Sequence, residues 1–141
     1  MPPSRSLIAQ RRGIQANLVD MNLTAVLIAL AVFLAIILLK RSGQISPSEA
    51  QAHLRNGALV IDVRTPGEFN SGHLKNAINL PLDQIETTLP RRVQDKSQVL
   101  LLHCQSGMRS SAAKKKLKAL GYVNAFNLGS YGRAAQIVEG T

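Results

Sequence analysis

The stretch that most constrains this chain runs from Val99 to Leu120. Four apolar residues, Val99-Leu100-Leu101-Leu102, give way there to a polar turn and then to a helix-forming segment. Four residues are too few for a helix and suit a strand buried on both faces, as in a parallel sheet. The turn reads His103-Cys104-Gln105-Ser106-Gly107-Met108-Arg109. Beyond it, Ala112, Ala113, Leu117 and Leu120 fall on one side of a helix that stops at Gly121. The single cysteine of the chain therefore stands where a strand hands over to a helix. At such a junction the amides of Ser106 to Ser110 can point inward, and the helix N-terminus adds partial positive charge. Both effects favour a thiolate over a thiol and can hold an anion beside it. Cys104 is thus a candidate nucleophile, with Gln105, Ser106, Gly107, Met108, Arg109 and Ser110 as the loop that binds an anionic substrate.

The flanking segments repeat the alternation of strand and helix. Ser46-Pro47-Ser48-Glu49 is a capping box with proline at the first helical position, and that helix ends at Asn56-Gly57. Ala58 to Ile61 reads as a short strand, followed by Asp62-Val63-Arg64. Thr65-Pro66-Gly67-Glu68 repeats the capping device for a short helix that breaks at Gly72. Ala77 to Leu80 is a further strand, stopped by Pro81. Asp83 is expected to cap a helix over Gln84 to Leu89 that Pro90 ends. Tyr122 to Leu128 is expected as the last strand and Ser130 to Val138 as the last helix. This order predicts a parallel sheet with helices on both faces, carried by residues 45–141.

The N-terminal part has another character. Residues 1–20 form a polar tail, whereas Met21 to Leu39 is a run of nineteen residues without a charge and nearly all apolar. As a helix it would measure about 28 Å, close to the roughly 30 Å of a bilayer core, and it has no polar face. We therefore expect one transmembrane helix at residues 21–39 and a linker at 40–44. A cleaved secretory signal fits less well, because Lys40-Arg41 stands where small residues should be. Lys40-Arg41 abuts the run while Arg11 and Arg12 lie further off, which places the domain on the cytoplasmic side. A start at Met21 would strengthen that orientation. The short linker would keep the domain near the bilayer.

The net charge of +9 comes with no interleaved basic and aromatic pattern and no zinc-finger spacing, so nucleic acid is not expected as a partner. His53, His73, His103 and Cys104 include no pair at helical spacing, so no metal is expected. His103 precedes the nucleophile on a strand and should point to the opposite face, in a structural role. Arg109 sits on the first helical turn, a poor place for a cation unless it serves the anion. Lys114, Lys115, Lys116 and Lys118 read as a solvated face.

Three segments in order resemble the rhodanese family. They are Val60-Ile61-Asp62-Val63-Arg64-Thr65-Pro66-Gly67-Glu68-Phe69, then Gly72-His73-Leu74 with Ala77-Ile78-Asn79-Leu80-Pro81, then His103 to Ser110. The resemblance covers residues 45 to 132. It implies a rhodanese-like three-layer fold, and a Cys104 that carries sulfane sulfur as a persulfide from a small anionic donor such as thiosulfate to a thiophilic acceptor or acceptor protein. No cofactor is implied. Asp62, Arg64 and Glu68 would then support the first loop through an ion pair and caps. The chain departs from the family at Gln105, where many members carry arginine, at His103, where many carry an aromatic residue, and at Gly129-Ser130-Tyr131, which no tryptophan follows.

Two other functions compete with sulfur transfer. Cysteine phosphatases share the opening His-Cys and the closing arginine but place five residues between Cys and Arg. Here there are four, Gln105 to Met108, a ring better matched to one sulfur atom than to a phosphoryl group. A non-catalytic or slow sulfur carrier at the membrane is the other alternative.

Overall fold

A computed structural model describes residues 23–38 and 43–140. The chain divides into two compact units, Met1–Ser42 and Gly43–Thr141.

In the first unit, residues 23–38 form a helix, α1. Leu27, Ile28, Leu30 and Phe33, which a helix of 3.6 residues per turn spreads around its circumference, are all exposed. Among the described residues no helix is long and apolar enough to cross a membrane. The expected span of residues 21–39 reaches past α1 at both ends, and the expected tail and residues 40–42 of the linker also lie outside the described residues.

The second unit runs α2 (Pro47–Arg55), β1 (Leu59–Asp62), α3 (Pro66–Asn70), β2 (Ile78–Asn79), α4 (Ile85–Arg92), β3 (Leu100–Cys104), α5 (Met108–Ala119), β4 (Ala125–Ser130) and α6 (Tyr131–Glu139). The strands lie in the order β2-β1-β3-β4, and every pairing is parallel. The strand with the most apolar sequence is therefore interior, with Leu100, Leu101 and Leu102 fully buried. Its side chains alternate between two cores. Leu100, Leu102 and Cys104 pack with Ile61, Val63, Ile85 and Leu89, and with Ala113 and Leu117 of α5. Leu101 packs on the other side with Val60, with Ala50 of α2 and with Ala134 and Ile137 of α6. Helices thus cover both faces, as the alternation of elements predicts.

Ser46 and Thr65 cap their helices as expected, each accepting the amide of the glutamate three residues on. Thr65 and Glu68 complete a reciprocal capping box. Asp83 does not cap α4. Gln84 occupies the N-cap position without a side-chain bond, and the Thr87 and Thr88 hydroxyls donate to its carbonyl. Nor does Pro90 end α4, which continues to Arg92 and closes with Val93 N–H donating to Leu89 O at 2.8 Å. Proline removes one donor, but its fixed φ is itself helical, so a short helix can run past it. The last strand also shifts. Tyr122 belongs to a turn, its ring buried and its hydroxyl donating to Val93 O, while pairing begins at Ala125 and runs on to Ser130. Gln44, expected in the linker, is part of this unit: it bridges to Asn127 beside β4, and Ile45 N–H donates to Asn127 O at 3.0 Å.

Candidate active site

Cys104 is the last residue of β3, so the strand extends two residues into the expected turn. It is fully buried. α5 begins four residues later, with Gly107 at its N-cap position at φ +91° and no side-chain cap. A helix start without a capping side chain leaves its amides in need of an acceptor. The Cys104 sulfur supplies one, taking the Gly107 N–H at 3.1 Å. Burial pushes the thiol up, but the amides of Ser110, Ser106 and Gly107 and the Ser110 hydroxyl outweigh it, and the net shift is downward. Thiolate formation is thus favoured by main-chain donors and a helix N-terminus.

Gly107 has no room for a side chain. A Cβ there would lie 3.2 Å from the backbone of Gly129, at a φ that L-residues rarely adopt. Behind the loop stands Asn127, which sequence reasoning missed. Its side-chain oxygen accepts from the Ser110 hydroxyl at 2.7 Å and from Gly129 N–H at 2.8 Å, and its amide donates to Gly107 O at 3.3 Å. The Ser110 hydroxyl thus has three acceptors within reach, Asn127 Oδ1 at 2.7 Å, Gly107 O at 3.1 Å and the Cys104 sulfur at 3.8 Å. The available signal was one polar residue in the apolar stretch Ala125 to Leu128.

Arg109 closes the loop. Its two terminal nitrogens donate to the two carboxylate oxygens of Glu68, each at 2.7 Å. Glu68 raises the arginine pKa, with the Cys104 sulfur a smaller contributor, and Arg109 in return holds the Glu68 carboxyl well below the usual range. Glu68, expected only to cap α3, therefore does double duty. A cavity of about 380 Å³ adjoins Arg109, with Val63, Pro81 and Leu82 as apolar walls and Thr65, Asp83 and Lys116 as polar ones. Lys116 is itself paired with Glu86. Gln105, Ser106 and Met108 are exposed on the loop, and Ser110 is buried beneath it.

The first loop, after β1, is locked by side chains. Arg64 donates to both Asp62 oxygens, at 2.7 to 3.0 Å, and to Gly72 O at 2.8 Å, and it lies 4.4 Å from the centre of the Tyr131 ring. Asn79 donates to the carbonyls of Asp62 and Arg64. His103 faces this cluster on the opposite side of the sheet from Cys104, as strand alternation requires. Neither of its ring nitrogens has a hydrogen-bond partner among the described residues, and its Nε2 is 3.8 Å from Asp62. Burial, opposed by Asp62 and aided by Arg64, lowers its pKa to about 4. Among the described residues no three His, Cys, Asp or Glu side chains are grouped to hold a metal ion.

Comparison with known proteins gives the site a context. The thiosulfate sulfurtransferase PspE of Escherichia coli is 35% identical over 69 residues, covering 49% of this chain and 66% of that one. A tRNA uridine(34) hydroxylase of Hamiltonella defensa is 35% identical over 75 residues, covering 50% of this chain but 21% of that one. The chain thus spans less than two thirds of these curated relatives. The structure of the human single-domain sulfurtransferase TSTD1 superimposes with a TM-score of 0.58 at 27% identity, covering 67% of this chain and 96% of that one. The family described as the rhodanese-like domain matches residues 46–132, the segment that carries the sheet, the cysteine loop and the Asp62–Arg64 pair, and the chain belongs to that family.

Proposed function

We propose that the protein is a membrane-anchored sulfurtransferase that moves sulfane sulfur through a persulfide on Cys104. The observation that carries this reading is the buried Cys104 sulfur accepting the Gly107 amide at an uncapped helix start, with its thiol shifted downward. With thiosulfate as donor, the thiolate attacks the outer sulfur, the sulfur–sulfur bond breaks, and sulfite leaves with the electron pair. Loop amides hold the resulting Cys104–S–S⁻ anion as they held the thiolate. A thiophilic acceptor such as cyanide then takes the outer sulfur and returns Cys104 as thiolate. Sulfur transfer by similar proteins supports this reading, and the four-residue loop between Cys104 and Arg109 favours it over phosphoryl transfer.

The anchor rests on α1 and its sequence context. A helix with apolar side chains on every side is unstable in water and at home in lipid. It lies within the uncharged run of residues 21–39, and Lys40-Arg41 at the end of that run supports a cytoplasmic side for the domain.

Intact mass after incubation with thiosulfate tests the chemistry: one added sulfur atom, removable by cyanide, is expected, and an unmodified protein overturns it. Detergent-free ultracentrifugation of a lysate tests the anchor, which fails if the full-length chain stays in the supernatant. A C-terminal epitope reachable in sealed cells would overturn the orientation.

A further inference from the structure

We propose that the outer face of α5 docks on anionic lipid headgroups, a second contact with the membrane besides the anchor. The inference rests on the anchor reading above and concerns the domain that follows the anchor.

α5 differs in charge from the other helices of residues 43–140. Between Met108 and Ala119 it carries Arg109, Lys114, Lys115, Lys116 and Lys118 and no carboxylate, whereas α2, α4 and α6 each mix both signs. Arg109 and Lys116, on the flank that lines the cavity, are paired with Glu68 and Glu86. Lys114, Lys115 and Lys118 pair with no carboxylate among the described residues. Partial burial and the charge of Lys118 push the Lys114 pKa down. Like charges held together in this way repel one another, and an anionic surface relieves that repulsion.

Position adds an independent argument. Lys114 Nζ donates to Gly43 O at 3.3 Å, so this flank of α5 stands where the chain enters the domain. Gly43 is four residues beyond Leu39, the end of the uncharged run, a reach of at most about 14 Å. With residues 21–39 in the bilayer, Lys114 is tethered close to the headgroup layer, where each lysine gains from anionic lipid. Among the described residues of the domain, the exposed large apolar side chains are Met108 and Val123, and they flank α5 at its two ends. Met108 lies about two helical turns from Lys115 and on the same side. Such side chains enter the headgroup layer when a basic helix lies in the interface. A nucleic acid or an acidic protein would match the charge alone, whereas the tether and the apolar flanks match lipid.

The test uses the full-length protein reconstituted in vesicles of phosphatidylcholine, alone or mixed with phosphatidylglycerol. A membrane-impermeant acylating reagent modifies the lysines, and tandem mass spectrometry of peptides gives the rate at each one. Lys75 is the internal reference, because it is exposed and follows Leu74, which packs in the core on the other side of the sheet. Anionic lipid should slow Lys114, Lys115 and Lys118 relative to Lys75 by at least about threefold, and high salt should abolish the difference. Lys115→Gln combined with Lys118→Gln should return Lys114 to its rate in neutral vesicles while leaving its bond to Gly43 in place. Equal relative rates in the two compositions overturn the inference alone, as does a protection of Lys114 that survives in the double variant. Failure of the protein to float with neutral vesicles overturns the anchor reading itself.

Discussion

His103 and Cys104 are neighbours on one strand, and both are fully buried, yet the fold treats them in opposite ways. The sulfur meets an amide at 3.1 Å and the start of a twelve-residue helix, and the anionic form is favoured. The imidazole meets no hydrogen-bond partner among the described residues, and the neutral form is favoured. One residue of displacement along a strand exchanges a face ordered by main-chain donors for a face ordered by side-chain charges. The first can bind what arrives from outside. The second spends its charges internally, Arg64 on Asp62, and serves to hold the loops in register.

The contrast breaks most completely at the sulfur. Cys104→Ser should abolish sulfur loading in the mass assay while the circular dichroism spectrum stays as in the wild type; residual loading would place the chemistry elsewhere.

The next effect is on the rear face. Arg64→Ala leaves Asp62 buried without its partner, and breaking a buried pair in this way costs about 3–5 kcal/mol. Chemical denaturation measures it, and a loss below about 1 kcal/mol would mean that the pair is dispensable.

Acid sharpens the same contrast. The folded protein protonates His103 only near pH 4, whereas the unfolded chain does so near the ordinary 6.5. Unfolding therefore takes up a proton, and the His103 contribution to stability, intact above about pH 6.5, is lost as pH falls toward 4. The full difference is on the order of 3 kcal/mol. His103→Phe should flatten the slope of unfolding free energy against pH over that interval, and an unchanged slope would clear His103 of the effect.

The smallest effect is expected at Arg109. The pair with Glu68 is one-third exposed and screened by solvent. Arg109→Ala should slow sulfur loading by about tenfold and raise the thiol pKa, as a lost charge-assisted contact would. A pH profile of alkylation reads the second quantity, and unchanged profiles would leave the amides as the whole cradle.

Much of this arrangement was legible in the residues. The N-cap at Ser46, the capping box at Thr65, the interior Leu100-Leu101-Leu102 strand and the strand-to-helix loop depend on local chemistry, which short sequence windows contain. Asn127 and the Glu68–Arg109 pair were not legible. Asn127 meets Ser110 across 17 positions, and Glu68 meets Arg109 across 41, so only the parallel register of the strands brings them together. The misplaced end of α4 at Pro90 has another cause, since a proline read as a stop was tolerated two residues before the true end.

The entry of the chain into the domain has a mechanical consequence. Lys114 bonds the carbonyl of Gly43, Ile45 is held by Asn127 and by Arg133, and Arg133 also clasps the carbonyl of Leu128. The Gln44 side chain stands so close to Gly129 that a Cβ there would lie 2.9 Å from it, and one on Gly107 would lie 3.5 Å away. Residues 43–45 are therefore moored to Lys114 of α5, to Asn127 of β4 and to Arg133 of α6, with the Gln44 side chain against Gly129 behind the loop that holds the sulfur. A pull on the chain from its N-terminal side is borne first by these few bonds.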